Sequence, residues 1–435
     1  MRFLRLILVA GAVSLALAQN DLPRHGAIGL AVGAADKTKA PGPDNPLVVQ
    51  RVLEGGAGAE AGFQAGDAIR AVDGLPVAAA SQFVQAIASH LGGEKVRVAV
   101  DRGGKRLDLT AVLRPRPFET SPVADILYRS VAVRDARRRV IVIRPRAAGR
   151  LPAVLLMQGL GCDSEDGIDR RNGYGAVLSA FEEHGFVTMR IEKTGVGDSE
   201  GPPCTSPQAT PQLEADGYLA ALRALKSYDF VDSRKVFVFA HSMGPVVGSL
   251  AIAQEPVRGF IAVETVGTGW FEYDLERYRV QDGLISPPDE VDRDVRAYAV
   301  CSYRFYVEKQ PPEELAKIPG CERMTAPFGP VPYAYMQAVA DISLGANWKS
   351  ADFPVLVVYG TSSPVTTAHQ SRYLADLINR LHPGRATYVE IPGMSHDLAH
   401  YESPQAFVNR APGSVHRFDT ALIDAVMKWL TPLIG

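Results

Sequence analysis

Cysteine is scarce in this chain, and no two cysteines stand at metal-binding spacing. Cys162, Cys204, Cys301 and Cys321 are the four present in 435 residues, and no C-x-x-C run occurs, so no zinc or other metal site is expected. Charge of one sign is not in excess either, with 46 Lys and Arg against 48 Asp and Glu. That balance excludes a basic nucleic-acid tail and an acidic solvating tract, and no nucleic-acid partner is expected. Beyond residue 18 no stretch is long and apolar enough to cross a membrane. The glycines of "RIEKTGVGDSEGPPC", residues 190–204, are not followed by the Lys-Ser/Thr of a phosphate-binding loop. They read as a structural loop held by Cys204, and no cofactor is expected. The last absence is local: "VVYGTSSPVTT", residues 357–367, contains no carboxylate.

What is present begins with "MRFLRLILVAGAVSLALA". Arg2 and Arg5 precede a short apolar run that closes on Ala16-Leu17-Ala18. This is the pattern of a secretory leader at 1–18, with a membrane anchor as the alternative. The expected localisation is exported, periplasmic or secreted, with membrane contact only through the leader. In an oxidising compartment an even number of cysteines suggests bridges, and four permit three pairings. Cys301–Cys321 would staple a helical insertion, which leaves Cys162–Cys204 to join two loops; free buried thiols are the alternative.

Residues 24–115 form one block. "RHGAIGLAVG" is a Gly-rich loop feeding a strand, "SQFVQAIASHL" a short amphipathic helix, and "KVRVAVDRGGKRLDLTAVL" a hairpin turning at Gly103-Gly104. With "AGAEAGFQAGDAIRAVDG" at 57–74, the block resembles a PDZ domain of exported bacterial proteases. The resemblance implies that a partner's C-terminal peptide adds a strand beside Leu30 to Val32. Backbone amides in the loop Gly26-Ala27-Ile28-Gly29 would take its carboxylate, and Ile28, Leu30, Val32, Phe83 and Ile87 would line the groove. The alternative is that these residues are core and the block is a spacer.

A Pro-rich joint at 113–122 leads into residues 120–435, where the rhythm changes. Short Val/Ile-rich runs end in Gly-rich turns, and helical stretches lie between several of them. That alternation predicts an α/β architecture, a doubly wound, mostly parallel sheet covered on both faces. Active residues in such sheets sit past the carboxyl ends of the strands.

One such turn is "VFAHSMGPVVGSLAIA", where a strand runs into a helix through Ala240-His241-Ser242-Met243-Gly244. It resembles the nucleophile elbow of the α/β-hydrolase family, with Ala240 in place of the usual first Gly. The resemblance implies Ser242 as nucleophile and the Met243 amide as an oxyanion donor. The second donor falls to the amide of Leu160 in "LLMQGLGCDS", where many members have His-Gly and this chain has Gln158-Gly159. The base falls to His396 in "TYVEIPGMSHDLAH", with His400 as fallback and His241 disfavoured because it flanks the serine.

The missing carboxylate now matters. The family's commonest place for the third member is the turn after the penultimate strand, and there this chain has Ser363. A second arrangement puts the acid one strand earlier, where "GFIAVE" ends in Glu264. Glu264 lies between Ser242 and His396 in chain order, as that fold requires, and a carboxylate closing an apolar strand needs a partner. Glu264 is therefore the expected acid. The alternatives are an ion pair from Glu264 to Arg277 or Arg279, Asp397 as the acid, or a site without one.

Residues at about 266–350 look helical and rich in Tyr, resembling the cap that many members insert after the sixth strand. Trp270, Phe271, Tyr273 and Tyr278 are either pocket lining or ordinary packing. The sequence thus points to an exported serine hydrolase, acting on a small acyl or peptide substrate through an acyl-enzyme. An inactive binding protein of the same fold is the rival, and the serine at 363 is its best support.

Overall fold

The computed structural model describes residues 22–36, 45–321, 324, 329–411, 414 and 416–435. The expected leader at 1–18 lies outside the described residues. In the N-terminal block, strands Leu30–Ala34, Leu47–Val52, Ala68–Val72, Lys95–Arg102 and Lys105–Val112 pair antiparallel in that order. Alternation explains the pairing: Val96, Val98 and Val100 are fully buried, while Lys95 and Arg97 face water. Gly103 and Gly104 both have positive φ, 57° and 78°, as a tight two-residue hairpin turn demands. Helix Ala80–Ala88 packs across this sheet, and among the described residues Leu30–Ala34 pairs with Leu47–Val52 only, which leaves its other edge open there.

Arg24 fastens this block to the rest of the chain. Its buried guanidinium donates to the carbonyls of Arg116 (3.1 Å) and Pro117 (2.9 Å) in the Pro-rich joint. It also pairs with Asp166 at 2.7 Å and Asp198 at 2.5 Å, two carboxylates of the larger domain.

That domain is built on eight strands: β1 (Ala124–Val133), β2 (Ala136–Pro145), β3 (Leu151–Met157), β4 (Val187–Ile191), β5 (Val231–His241), β6 (Gly259–Val263), β7 (Val355–Gly360) and β8 (Ala386–Ile391). Their order is β8-β7-β6-β5-β3-β4-β2-β1. β2 is antiparallel to both its neighbours, and the remaining pairs are parallel. The central strands alternate between two cores. Ala153, Leu155, Val236 and Val238 face helices Pro211–Ser227 and Gly244–Ile252. Val154, Leu156, Phe237 and Phe239 face helices Gly173–Glu183 and Ala421–Ile434. Strands buried on both faces explain why the sequence shows continuous apolar runs there.

Between β6 and β7 the chain forms helices Trp270–Asp282, Pro288–Tyr306, Pro312–Leu315, Tyr333–Val339 and Leu344–Trp348. The Cys301–Cys321 disulfide staples this insertion, and Cys162–Cys204 joins the loops after β3 and β4. Two such bridges suit an oxidising, extracellular environment. No helix among the described residues is long and apolar enough to cross a membrane.

Candidate active site

Five loops at the carboxyl ends of β3, β5, β6, β7 and β8 converge. The turn after β5 is tight because helix Gly244–Ile252 lies hard against β3. A Cβ at Gly244 would sit 2.3 Å from the Met157 carbonyl oxygen. Ser242 takes φ 58°, a left-handed conformation that is strained for a residue with a side chain. Its amide donates to the Val263 carbonyl (2.9 Å), and its own carbonyl accepts from the Thr265 hydroxyl (2.8 Å). Held this way, Ser242 Oγ lies 3.0 Å from His396 Nε2. His396 stands 154 residues further along, beyond β8, with its side chain 18% exposed.

Glu264 follows β6, is fully buried, and also has positive φ, 51°. Its Oε1 accepts from the Gly360 amide at 2.5 Å, and its Oε2 accepts from the Thr366 hydroxyl and lies 3.4 Å from His396 Nδ1. A buried carboxylate is tolerable because these donors converge on it. Gly360 has to lack a side chain, since a Cβ there would come within 2.3 Å of the Met394 carbonyl and 3.0 Å of Glu264 itself. Ser363 makes no such contact with the imidazole; its Oγ accepts from the amides of Val365 and Thr366, each at 3.3 Å.

The other carboxylate pairings fall away. Arg277 pairs with Asp274 (2.6 Å) and Arg279 with Asp292 (2.7 Å), not with Glu264. Asp397 accepts from Tyr401 Oη at 2.7 Å, and His400 Nδ1 is 2.9 Å from Asp419.

Around the serine, a Cβ at Gly159 would lie 3.1 Å from Ser242 Cβ, so the segment 158–160 lies along Ser242. Neither the Met243 nor the Leu160 amide donates to an acceptor among the described residues. The Gly159 amide is taken by Tyr174 Oη at 2.8 Å, and Tyr174 Oη is 2.8 Å from His241 Nδ1. His241 Nε2 faces the His396 carbonyl oxygen at 2.8 Å and therefore carries the ring proton and donates it there, which leaves Nδ1 to accept from Tyr174 Oη. Burial, and His396 beside it, hold the His241 imidazole well below its usual pKa, so it stays neutral. Sequence reasoning missed Thr366, Gly360 and Tyr174, and no local motif marks them.

Of the cap aromatics, Tyr273 is buried with its hydroxyl on the Val365 carbonyl (2.9 Å), and Tyr278 stacks on Tyr298 at 4.0 Å. Both are packing residues. In the N-terminal block, Ile28, Phe83 and Ile87 are buried in the domain core. Leu30 and Val32 are only partly buried, and Val84 is exposed on the same helix. Of the Gly26–Gly29 loop, the Gly26 amide already donates to the His90 carbonyl at 2.8 Å and is not available to a carboxylate, whereas the Ile28 and Gly29 amides have no acceptor among the described residues, and Gly29 takes φ 74°. An open depression of about 450 Å³ lies elsewhere, between residues 169–172 and 417–420, and Ser242 does not line it.

A model of the alpha/beta hydrolase family matches residues 154–411, and a PDZ domain model matches 26–113. A search of the curated proteins found no match. Among solved structures, DcsB in complex with its substrate analogue is 18% identical at TM-score 0.45, covering 71% of this chain and 99% of its own. Est1E from Butyrivibrio proteoclasticus, bound to ferulic acid, is 17% identical at TM-score 0.44, covering 70% and 99%. EstE1, a thermostable carboxylesterase from a metagenomic library, is 16% identical at TM-score 0.43, covering 73% and 92%. By its family match over more than half its length, the chain belongs to the alpha/beta hydrolase family and carries a PDZ domain ahead of the hydrolase domain.

Proposed function

We propose that the protein is an exported serine hydrolase that cleaves small carboxylic esters or short amides through an acyl-enzyme. The observation that carries this reading is the 3.0 Å contact between Ser242 Oγ, on its strained turn, and His396 Nε2. In this reading Ser242 Oγ attacks the carbonyl carbon as its proton passes to His396 Nε2. The carbonyl oxygen becomes an oxyanion held by the Met243 and Leu160 amides. His396 then protonates the leaving group, and the acyl-serine remains. Water, deprotonated by the same nitrogen, attacks that ester and releases the acid. Glu264 fixes the tautomer with Nδ1–H and offsets the imidazolium; its 3.4 Å contact is of a length that tightens as that charge forms.

The PDZ domain serves a partner in the same reading. The unengaged amides of Ile28 and Gly29 beside an open strand edge favour a peptide with a free C-terminal carboxylate. The two disulfides support export, with the leader at 1–18 removed. The test is labelling by a fluorophosphonate together with hydrolysis of p-nitrophenyl esters and aminoacyl nitroanilides. Wild type should take the label, and Ser242→Ala should lose it along with about 10⁶-fold in kcat. A chain that neither labels nor hydrolyses is a binding protein of this fold.

A further inference from the structure

The loop that carries Leu160 is gripped by a buried ion pair from the next strand over, and the catalytic scheme above makes no use of it. Lys193, just past β4, is 4% exposed. Its Nζ donates to the Gly159 carbonyl oxygen at 2.8 Å and pairs with Glu214 Oε1 at 3.1 Å. Glu214 is buried on helix Pro211–Ser227 and accepts from two tyrosines, Tyr218 Oη (2.9 Å) and Tyr335 Oη (2.8 Å). Burial foremost, with the Glu214 charge, pushes both phenols well above their usual pKa, so each stays a donor. Tyr218 Oη also reaches the Gln158 carbonyl at 3.3 Å. The carbonyls of both residues before Leu160 are thereby tied, while Tyr174 holds the Gly159 amide from the other side.

We propose that Lys193 is a positioning residue for the oxyanion site, acting through the Gly159–Leu160 peptide. This rests on the serine-hydrolase reading. The peptide is planar and trans, so its C=O and the following N–H point in opposite directions. Fixing the Gly159 carbonyl on Lys193 therefore fixes the Leu160 N–H on the opposite side of the same plane. A cation on the carbonyl oxygen also draws electron density from the peptide, which makes that N–H a stronger donor. Tyr335 belongs to cap helix Tyr333–Val339, so the cap and the oxyanion segment share one carboxylate. Seating of the cap and aim of the donor are coupled through Glu214.

The test uses the full chain, with rates on p-nitrophenyl acetate expressed per serine titrated by exhaustive fluorophosphonate labelling. Losing a whole oxyanion donor costs 10²–10³ in kcat, so Lys193→Met, which leaves the donor present but unaimed, is expected to lower kcat by about 10- to 100-fold. KM should move less than about twofold, as for an interaction made only in the transition state. Inhibition by a trifluoromethyl ketone, whose serine adduct carries an oxyanion, should weaken by the same factor as kcat. Lys193→Arg should recover part of both. A Lys193→Met protein with wild-type melting behaviour, unchanged kcat per labelled serine and unchanged ketone affinity overturns the proposal. Should that variant not fold, Tyr335→Phe removes one hydroxyl from Glu214, and kcat and ketone affinity should fall together by about two- to fivefold. No change in either overturns the proposal as well. A wild-type chain that takes no label and cleaves no ester is a separate result, and it removes the underlying reading along with this one.

Discussion

The turn after β6 carries Glu264 and the turn after β7 carries Ser363. Both side chains are buried, and both turns lie beside the imidazole-bearing loop. Their surroundings differ in what they donate. Glu264 receives the Gly360 amide and the Thr366 hydroxyl and faces His396 Nδ1. Ser363 receives the amides of Val365 and Thr366 and closes its own turn. The β7 turn therefore supports a neighbour: Ser363 folds the segment that presents Thr366 to the Glu264 carboxylate. A carboxylate belongs where buried donors converge, and in this chain that place is at the end of β6.

The comparison breaks most sharply on a pair of single substitutions. Glu264→Gln should lower kcat by about 10⁴-fold on any substrate the protein turns over, because a neutral amide leaves the imidazolium unbalanced. Ser363→Ala should leave kcat within about threefold and lower stability by roughly 1 kcal/mol, the worth of ordinary hydrogen bonds. The reverse pattern hands the role to Ser363. A transplant sharpens the point further. In the Glu264→Gln background, Ser363→Asp should recover about 10- to 100-fold of the lost rate, since a restored charge is still held by a turn built for a hydroxyl. No recovery means that the β7 turn cannot aim a carboxylate at Nδ1. A smaller effect belongs to Thr366→Val, which keeps the shape and removes one donor from Glu264. A hydrogen bond to a charged group is worth about 1.5–3 kcal/mol. Thr366 donates to Glu264 whether the imidazole is neutral or charged, so only a difference of about 0.7–1.4 kcal/mol reaches kcat, a fall of roughly 3- to 10-fold. The melting temperature should drop as well. A variant with unchanged kcat and melting temperature excludes Thr366 as a support for the acid.

Sequence alone carried the chain as far as local patterns reach. The apolar runs became β3 to β7 because strands buried on both faces have no polar face to interrupt them. Small residues around a strand-to-helix turn singled out Ser242, and a lone charge at the end of an apolar strand singled out Glu264; the fold brings both side chains to His396. The supports around them were not legible. Arg24 meets Asp166 and Asp198 across 142 and 174 residues. Lys193 sits in a glycine-rich loop whose sequence gives no sign that its ammonium turns inward to Gly159. Tyr174 and Tyr335 look like the packing residues that most buried tyrosines are. Contacts of this kind depend on which loops the sheet order brings together, and periodicity does not encode that order.

A third carboxyl extends the comparison. Glu165 is buried as Glu264 is, yet its Oε2 has no hydrogen-bond partner among the described residues. Burial first, and then the neighbouring Glu192, push its pKa up to about 8 from an ordinary 4.5, with Arg190 and Lys193 pulling the other way and Asp163 adding to the rise. Such a group holds its proton more tightly folded than unfolded. Its contribution to stability is complete below about 4.5 and is lost as pH rises through about 8. Stability of the wild-type chain should therefore fall across that window. Glu165→Gln, which mimics the protonated form at every pH, should make the fall in melting temperature between pH 5 and 8 clearly smaller than in wild type. An identical pH profile in the variant would mean that Glu165 is ionised in the folded chain, with Arg190 or Lys193 supplying the donors that its surroundings do not otherwise provide.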